Sequence, residues 1–194
     1  MVVDRRRTSV GDQWSKSGLG NGTPTDGHGR DAARNVRVMA NWQDVAREAP
    51  ELATKARRAF DANKHKTMAT LRKDGGPRIS GTECQFKDGE LWIGSMWKAV
   101  KALDLQRDGR FAIHSATVDP EAPGWAEAKI AGTAHEVVDE EEVKRRNGEA
   151  GANGPSHSFR LDITEASAVY LNAAKTKLII EVWTPERGVR TIER

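Results

Sequence analysis

The sequence predicts a mainly β protein in which an antiparallel sheet of about seven strands forms a closed or split barrel with short helices at its edges. Two observations predict this fold. Most of the chain after residue 65 alternates apolar and polar side chains with a period of two, which is typical of strands. Tight turns join most of these segments, and strands that lack long helical crossovers must run antiparallel. We expect a barrel because closure removes unpaired strand edges.

The composition is that of an ordinary globular domain. Of the 194 residues, 37% are hydrophobic and 30% are charged, and the 18 glycines raise the apolar share to about 46%. The apolar runs are far shorter than the roughly 18 residues of a membrane-spanning helix. The single cysteine, Cys84, allows neither an internal disulfide nor a structural zinc site. We therefore expect a cytoplasmic protein without a membrane partner.

The net charge of +3 belongs to the N-terminal segment. Residues 1–41 carry seven Lys and Arg against four Asp and Glu, whereas residues 42–194 carry 24 of each. A nucleic-acid-binding protein carries its basic residues as a stripe on the folded part of the chain. We therefore expect no nucleic-acid partner.

The chain divides into an N-terminal extension, residues 1–38, and one domain, residues 39–194. The extension has glycines scattered among Ser, Thr, Asn and Asp and shows no sustained period. Such a segment cannot bury enough apolar surface to offset the entropy of ordering it, so we predict that it is disordered. Its glycine-rich run at 18–22 lacks the flanking strand and helix of a phosphate-binding loop.

Two helices are predicted beside the sheet. Pro50 stands at a first helical position, and the apolar residues after it recur at i, i+3 and i+4, so an amphipathic helix should run to about Asn63. A short helix is expected from about Met96 to Arg107. Gly109 should close this helix in the left-handed conformation that glycine adopts readily.

The first half of the sheet is predicted as three strands. Residues 66–72 and 78–86 form two of them, separated by a glycine-rich turn. The apolar side chains change parity within the second strand, which predicts a bulge at Gly81. The pair Asp88-Gly89 is a strong hairpin signal and leads into the third strand, residues 90–94.

The second half of the chain continues the sheet. The strand over 125–138 carries apolar residues from Ala126 to Val138 on one face and polar residues on the other, so one side should be buried. Asp139 and Glu142 predict a capping box at the start of a surface helix. Further strands are predicted at 110–118, 158–171 and 177–184.

Signatures of common catalytic sites are absent from the sequence. It contains no Walker loop, no HExxH motif and no nucleophile elbow around Ser95. The five histidines show no metal-ligand spacing, so we interpret each as a surface or hydrogen-bonded residue and expect no metal site. Cys84 is interpreted as a small core residue.

The second predicted helix has a lysine near its start, where the helix dipole disfavours a positive charge. If Ser95 is its N-cap, Lys98 lies at position N3, where the positive end of the helix dipole disfavours a cation. A bound anion would reverse that sign, so Ser95, the free N–H groups of the first turn and Lys98 would together bind a phosphate. Lys101 on the same face would add a second charge, and Trp97 offers an aromatic surface. The alternative is a pair of solvated lysines on an exposed helix.

Five segments of the chain follow one another in an informative order, namely Thr67–Arg78, Gly89–Ser95, Lys98–Ala102, Gly109–Ala112 and Ala131–Ala134. Taken together in this order, they resemble the pyridoxamine 5′-phosphate oxidase-like split-barrel superfamily. Within it they are similar to the flavin/deazaflavin oxidoreductase branch. The likeness covers about residues 58–184.

This resemblance implies a six-stranded, antiparallel, Greek-key split β-barrel of the FMN-binding type. It implies a homodimer with two cofactor sites at the dimer interface. Lys98 would hold the phosphate of FMN or of the deazaflavin coenzyme F-420. Residues on one strand, Arg78, Ser80 and Thr82, would line the cofactor ring, and Trp125 would reach the site from the partner subunit.

The expected function is that of an oxidoreductase that transfers a hydride between the cofactor and a small organic substrate. The deazaflavin is preferred over FMN because the substrate-binding signatures of true pyridoxamine-phosphate oxidases are not found. No catalytic residue is predicted, since the cofactor carries the redox chemistry. Two alternatives are a protein that binds or stores the cofactor without turnover and an FMN-dependent enzyme of the pyridoxamine 5′-phosphate oxidase type.

Overall fold

The computed structural model describes residues 39–117, 119, 126–139, 141–143 and 155–194. The expectations for the extension at 1–38, for Val118, for Trp125 and for the later turns of the surface helix lie outside these residues. Within them, the strands are β1 (Lys66–Leu71), β2 (Pro77–Thr82), β3 (Cys84–Lys87), β4 (Glu90–Met96), β5 (Arg110–His114), β6 (Ala126–Glu136), β7 (Ser156–Leu171), β8 (Leu178–Thr184) and β9 (Gly188–Glu193).

Every pair of neighbouring strands is antiparallel, as predicted. The strands follow the order β2-β1-β5-β6-β7-β4-β3, and β8 and β9 extend the sheet from β7. The two ends of this path, β2 and β3, are consecutive in the chain and are joined only through Glu83. The path therefore closes on itself through the covalent chain, which makes the sheet a split barrel.

The prediction of one continuous strand over 78–86 is wrong, because the structure has two strands there. Its first part, β2, pairs with β1, and its second part, β3, pairs with β4. Gly81 lies in regular register opposite Thr67, so the predicted bulge there is wrong. The side-chain parity does not change at all. The even-numbered residues from Ser80 to Phe86 are the more buried ones in both strands, and Ile79, which suggested the bulge, is 69% exposed.

The structure has nine strands among its described residues, whereas the resemblance implies six. Counting β2 and β3 as one bent strand makes β1 to β7 a six-stranded barrel. The difference then lies in the β8–β9 hairpin, of which β9 is not predicted from the sequence. Strand β7 belongs to both the barrel and the hairpin sheet because it is 16 residues long, with one end paired to β4 and the other to β8.

A bulge does occur between β6 and β7. The register shifts between Ala131 and Gly132, where Thr164 is the extra residue. A Cβ on Gly132 would lie 1.8 Å from the carbonyl oxygen of Asp162, so only glycine fits this close approach.

Helix α2 (Pro50–Asp61) confirms the predicted amphipathic helix, and α1 (Trp42–Glu48) before it is not predicted. Asn41 caps α1, and Asn41 and Asp44 exchange the two hydrogen bonds of a capping box. The apolar face of α2 packs on β6 and β7. Its buried residues are Leu52, Ala53, Ala56, Ala59 and Phe60.

Helix α3 (Val100–Arg107) begins four residues later than expected, with Ala99 as its N-cap. Gly109 follows the helix but does not adopt a positive φ, so the predicted left-handed closure is wrong. A Cβ at Gly109 would lie 2.6 Å from the carbonyl oxygen of Ala134. Glycine is needed here for close packing against β6 and not for backbone conformation.

The buried face of β6 is as predicted at Ala128, Ile130 and Ala134. Val138 lies beyond the end of the strand and is 82% exposed, so its predicted place in the core is wrong. The N–H of Glu142 donates to Asp139 Oδ1 at 2.8 Å, which is the expected N-cap hydrogen bond. No helix in the described part of the chain is long and apolar enough to cross a membrane.

Candidate functional site

An open groove of about 890 Å³ lies where the bend between β2 and β3 faces the end of β4. The segment before α3 and the start of β7 complete its walls. Its lining includes His65, Glu83 and Met96. Four residues predicted for the cofactor site also line it, namely Thr82, Ser95, Trp97 and Lys101.

Three other predicted site residues, Lys98, Arg78 and Ser80, are not part of the groove lining. Ser80 is half-buried on β2 opposite Met68. The eighth predicted residue, Trp125, lies outside the described residues. The groove therefore contains only the end of the strand that the resemblance assigns to the cofactor ring.

Ser95 belongs to β4 and is not the N-cap of α3. The strand continues to Met96 because its last residues pair with the start of β7, where Ser95 lies opposite His157. Ser95 is 8% exposed, and its hydroxyl has no hydrogen-bond partner among the described residues. A buried hydroxyl without a partner is costly, and a polar ligand in the groove would supply one.

Lys98 is not in the first turn of α3, so the argument from a cation at position N3 is wrong for this residue. It precedes the helix with a φ of 58°, and its backbone N–H donates to His157 Nε2 at 3.1 Å. Its side chain is exposed.

Lys101 is the second residue of α3, so the cation in the first turn is Lys101. Its Nζ donates to the carbonyl oxygen of Gly81 at 2.7 Å. Burial lowers the pKa of Lys101, and Glu83 opposes this effect. The first turn of α3 contains no acidic residue that would balance the charge.

The N-terminus of α3 is also uncapped. Ala99 offers no side-chain acceptor, and the N–H groups of Val100 and Lys101 find no acceptor among the described residues. Free N–H groups, the helix dipole and a lysine at one helix end favour an anion. The groove wall thus has the donors of an anion site and lacks the acceptor.

A buried histidine stands behind this wall. His157 is 3% exposed, and its Nδ1 lies 2.6 Å from Glu136 Oε1. Gln106 of α3 donates to the other carboxylate oxygen of Glu136 at 2.7 Å. The His157 ring stacks on Trp97 with centroids 4.8 Å apart and planes inclined by 12°.

The role of His157 is not predicted beyond a hydrogen-bonded residue. One signal was available, because His157 has the same parity on its strand as the buried residues Phe159, Leu161 and Ile163. A histidine on the core face of a strand needs polar partners for both ring nitrogens. Those partners come from β6 and from the segment before α3, which no local pattern indicates.

Arg78 belongs to a buried ion-pair cluster on the side of α3. Its Nε lies 2.6 Å from Asp104 Oδ2, and Asp104 is 2% exposed. Arg107 and Thr70 also donate to this carboxylate, at 2.9 and 3.0 Å. Burial opposes the ionisation of Asp104, but these hydrogen bonds lower its pKa overall. This cluster fixes α3 on β1 and β2.

Three residues that could carry chemistry, Cys84, His114 and His135, are not part of the groove lining. Burial raises the pKa of Cys84 to about 11, and the side chain packs against the core, as expected. His135 and His114 lie near carboxylates, 3.1 Å from Asp162 and 3.6 Å from Glu127. No group of three or more His, Cys, Asp or Glu in the described ranges is arranged to hold a metal ion.

No protein-family model matches the chain, and no curated protein matches it. Solved structures do. A pyridoxamine 5′-phosphate oxidase-related, FMN-binding protein from Nostoc punctiforme PCC 73102 superposes with a TM-score of 0.55 at 10% identity, over 78% of this chain and 98% of that one.

Two further structures are similar. PhzG from Burkholderia lata 383, solved with tetrahydrophenazine-1-carboxylic acid, gives a TM-score of 0.50 at 13% identity over 79% and 92% of the two chains. A heme-binding protein from Mycobacterium smegmatis gives 0.51 at 15% identity over 74% and 88%. At these identities the likeness concerns the fold, and the ligands of the three proteins differ.

Proposed function

We propose that this chain, whose fold is the pyridoxamine 5′-phosphate oxidase-like split barrel, binds a phosphorylated flavin-type cofactor in its groove and acts as an oxidoreductase. The observation that carries the proposal is the unsatisfied set of donors on one wall of the groove. The hydroxyl of Ser95 and the N–H groups at the uncapped start of α3 lack an acceptor, and the Lys101 ammonium has only a neutral carbonyl partner.

The residues fit a phosphate group. A phosphate accepts several hydrogen bonds, so it would satisfy the N–H groups of Val100 and Lys101 and the hydroxyl of Ser95 together. The Lys101 ammonium would add a charge-assisted hydrogen bond in place of its bond to Gly81. The phosphate anchor therefore moves from Lys98, the residue that the resemblance indicates, to Lys101.

Trp97 is suited to contact the flat ring of the cofactor. Its indole is 53% exposed and lines the groove, while one face is supported by the His157 ring. The volume of about 890 Å³ is within the range of sites for cofactor-sized molecules. Thr82 and Ser95 add hydroxyl groups on neighbouring walls.

When bound, the cofactor would accept or donate the hydride, which is chemistry that no side chain supplies. The chain's own residues anchor the phosphate, orient the ring and cover it from water. No acid or base among them is required, so a small organic substrate needs only space beside the ring.

The resemblance to the deazaflavin branch favours coenzyme F-420 as the cofactor, and the Nostoc protein supports FMN. A protein that binds or stores the cofactor without turnover uses the same donors. An FMN-dependent enzyme of the pyridoxamine 5′-phosphate oxidase type does so as well. These alternatives differ in which cofactor binds and whether a hydride is transferred.

We also propose that the protein is a homodimer with the groove at its interface. The groove rim and the adjoining face of α3 carry exposed apolar side chains, of Met96, Trp97, Val100 and Leu103. Exposed apolar patches of this kind are typical of protein interfaces. A second copy that covers them would also close the groove from water.

The test is a titration of the unliganded protein with FMN, coenzyme F-420 and heme, followed by fluorescence or absorbance. Mass spectrometry of any small molecule that copurifies would identify the natural ligand. We expect binding of F-420 or FMN and turnover with a panel of small acceptors. Binding of heme alone would overturn the proposed function, and cofactor binding without any hydride transfer would favour storage.

A further inference from the structure

The hydrogen bonds of His157 define the tautomer of its ring. Nε2 receives the backbone N–H of Lys98 at 3.1 Å, so this nitrogen must carry the lone pair. Nδ1 lies 2.6 Å from Glu136 Oε1 and therefore carries the proton that it donates to this carboxylate. The arrangement requires a neutral imidazole with its proton on Nδ1.

The segment that His157 holds is conformationally unusual. Lys98 has a φ of 58°, a left-handed conformation that residues other than glycine adopt rarely and that their surroundings must stabilise. Two hydrogen bonds do so. The N–H of Lys98 donates to His157, and the N–H of Ala99 donates to the carbonyl oxygen of Met96 at 3.0 Å.

The same ring supports Trp97. The ring of Trp97 stacks on that of His157, and Trp97 directly precedes Lys98 in the chain. A movement of the Lys98 backbone therefore shifts the indole relative to the His157 ring. Trp97 lines the groove on the wall that leads into α3. His157 thus connects the core to the groove through one hydrogen bond and one ring contact.

We propose that His157 is a positioning residue whose neutral form holds the Trp97–Lys98 segment in place for cofactor binding, and that protonation of His157 releases this segment and weakens binding. Protonation would place a proton on Nε2, so that a donor would face the N–H of Lys98. The effect on cofactor affinity rests on the proposed function, whereas the effect on the segment does not.

Three elements and the segment before α3 place polar groups around His157. Glu136 on β6 accepts the hydrogen bond from its Nδ1, and Gln106 on α3 holds that carboxylate in place. Strand β4 presents Ser95, whose hydroxyl carries no charge, opposite it. Lys98 contributes a backbone N–H, and its ammonium is on an exposed side chain. The imidazole is therefore the group whose titration changes the hydrogen bond to the segment.

The first measurement needs no cofactor. In the full-length protein, the ¹⁵N shifts of His157 should show protonated Nδ1 and unprotonated Nε2 at pH 7.5. The pH is then lowered, and the protection factor of the Lys98 amide against hydrogen exchange should fall when the ¹⁵N shifts show that the imidazole has become protonated. The proposal would be overturned by a proton on Nε2 at pH 7.5. It would also be overturned if the protection factor of the Lys98 amide did not change when His157 is protonated.

The second measurement compares cofactor affinity in the wild type, in His157→Phe and in His157→Gln at pH 7.5 and at the lower pH at which the ¹⁵N shifts show protonated His157. At pH 7.5, His157→Phe keeps an aromatic ring under Trp97 but offers no acceptor, so its Kd should rise by roughly two- to tenfold. His157→Gln keeps a carbonyl acceptor and should recover part of that loss. Circular dichroism checks that both variants fold.

A phosphate monoester such as that of FMN gains a proton at about pH 6, and the variants correct for this effect. The wild type should lose more affinity than either variant at the pH at which His157 is protonated, because only the wild type also loses the His157 acceptor. Equal pH dependence in all three proteins would overturn the positioning role in binding. Absence of cofactor binding to the wild type at any pH would overturn the proposed function instead, and the Lys98 amide would still decide whether His157 holds the segment.

Discussion

The ammonium of Lys101 donates a hydrogen bond to the carbonyl oxygen of Gly81 at 2.7 Å. This bond joins the first turn of α3 to the end of β2 and so connects two walls of the groove. It occupies the lysine with a neutral acceptor, while burial lowers its pKa. An anionic ligand is a better partner for this ammonium than a carbonyl group.

Replacing Lys101 should therefore affect cofactor binding more than replacing Lys98. Loss of a charge-assisted hydrogen bond of about 1.5 to 3 kcal/mol should raise the Kd of Lys101→Ala by roughly 10- to 150-fold. Lys98→Ala is the matched control and should change Kd by less than about threefold, since an exposed charge contributes little. Fluorescence titration measures both values. A larger loss in Lys98→Ala would return the anchor to the position that the resemblance indicates.

Ser95→Ala should separate binding from stability. The variant removes a buried hydroxyl that lacks a partner, so the free energy of unfolding should be unchanged or slightly higher. Cofactor binding should weaken by roughly two- to tenfold, because a neutral hydrogen bond to the phosphate is lost. Urea unfolding and cofactor titration are the two measurements. A clear loss of stability with unchanged affinity would contradict the role of Ser95 in the site.

Asp104→Asn should destabilise the fold. The variant leaves Arg78 and Arg107 without their buried countercharge, and we expect a loss of about 3 kcal/mol in the free energy of unfolding at pH 7. Asp108→Asn is the control, because its ion pair with Arg110 is exposed. It should leave the unfolding midpoint unchanged, and an equal loss in both variants would argue against the buried cluster.

The contribution of Asp104 should also depend on pH. Its pKa in the folded protein lies below the ordinary value of 3.8, so its stabilising effect is fully present above about pH 4. The effect declines as the pH falls through the lower folded value, because both states are then protonated. The difference between wild type and Asp104→Asn should therefore shrink between pH 5 and pH 2 in urea unfolding. A constant difference over that range would be inconsistent with this assignment.

The homodimer is tested by sedimentation. We expect a dimer at micromolar concentration, and Val100→Glu should shift the protein toward monomer because a charge would be buried against a second copy. Val138→Glu is the control, since this residue is also exposed but belongs neither to the groove lining nor to the exposed apolar face of α3. A stable monomeric wild type, or equal effects of the two variants, would count against an interface at the groove.

Local signals predicted the elements that depend on few neighbours in the chain. Asp88 and Gly89 have φ values of 52° and 80°, as their hairpin signal requires, because this turn depends on the conformational freedom of its own two residues. Pro50 begins a helix for the same kind of reason, since its ring presets the backbone. The period of two predicted most strands, because a strand with one buried face alternates apolar and polar residues along the sequence.

The sequence predicted several residues of the groove but not their arrangement. Ser95, Trp97 and Lys101 line one groove. Their places in the secondary structure differ from those expected, because β4 extends to Met96 and α3 starts only at Val100. No residue within the segment itself marks this boundary.

The sequence by itself determined an antiparallel barrel, because its strands follow from a period of two and from tight turns. It also determined that a lysine lies near the start of a short helix. Only the tertiary structure decided which lysine that cation is. Met96 pairs with Ser156, and the N–H of Lys98 is held by His157, both about sixty residues further along the chain. These long-range hydrogen bonds keep the segment out of the helix and place Lys101 at its first turn.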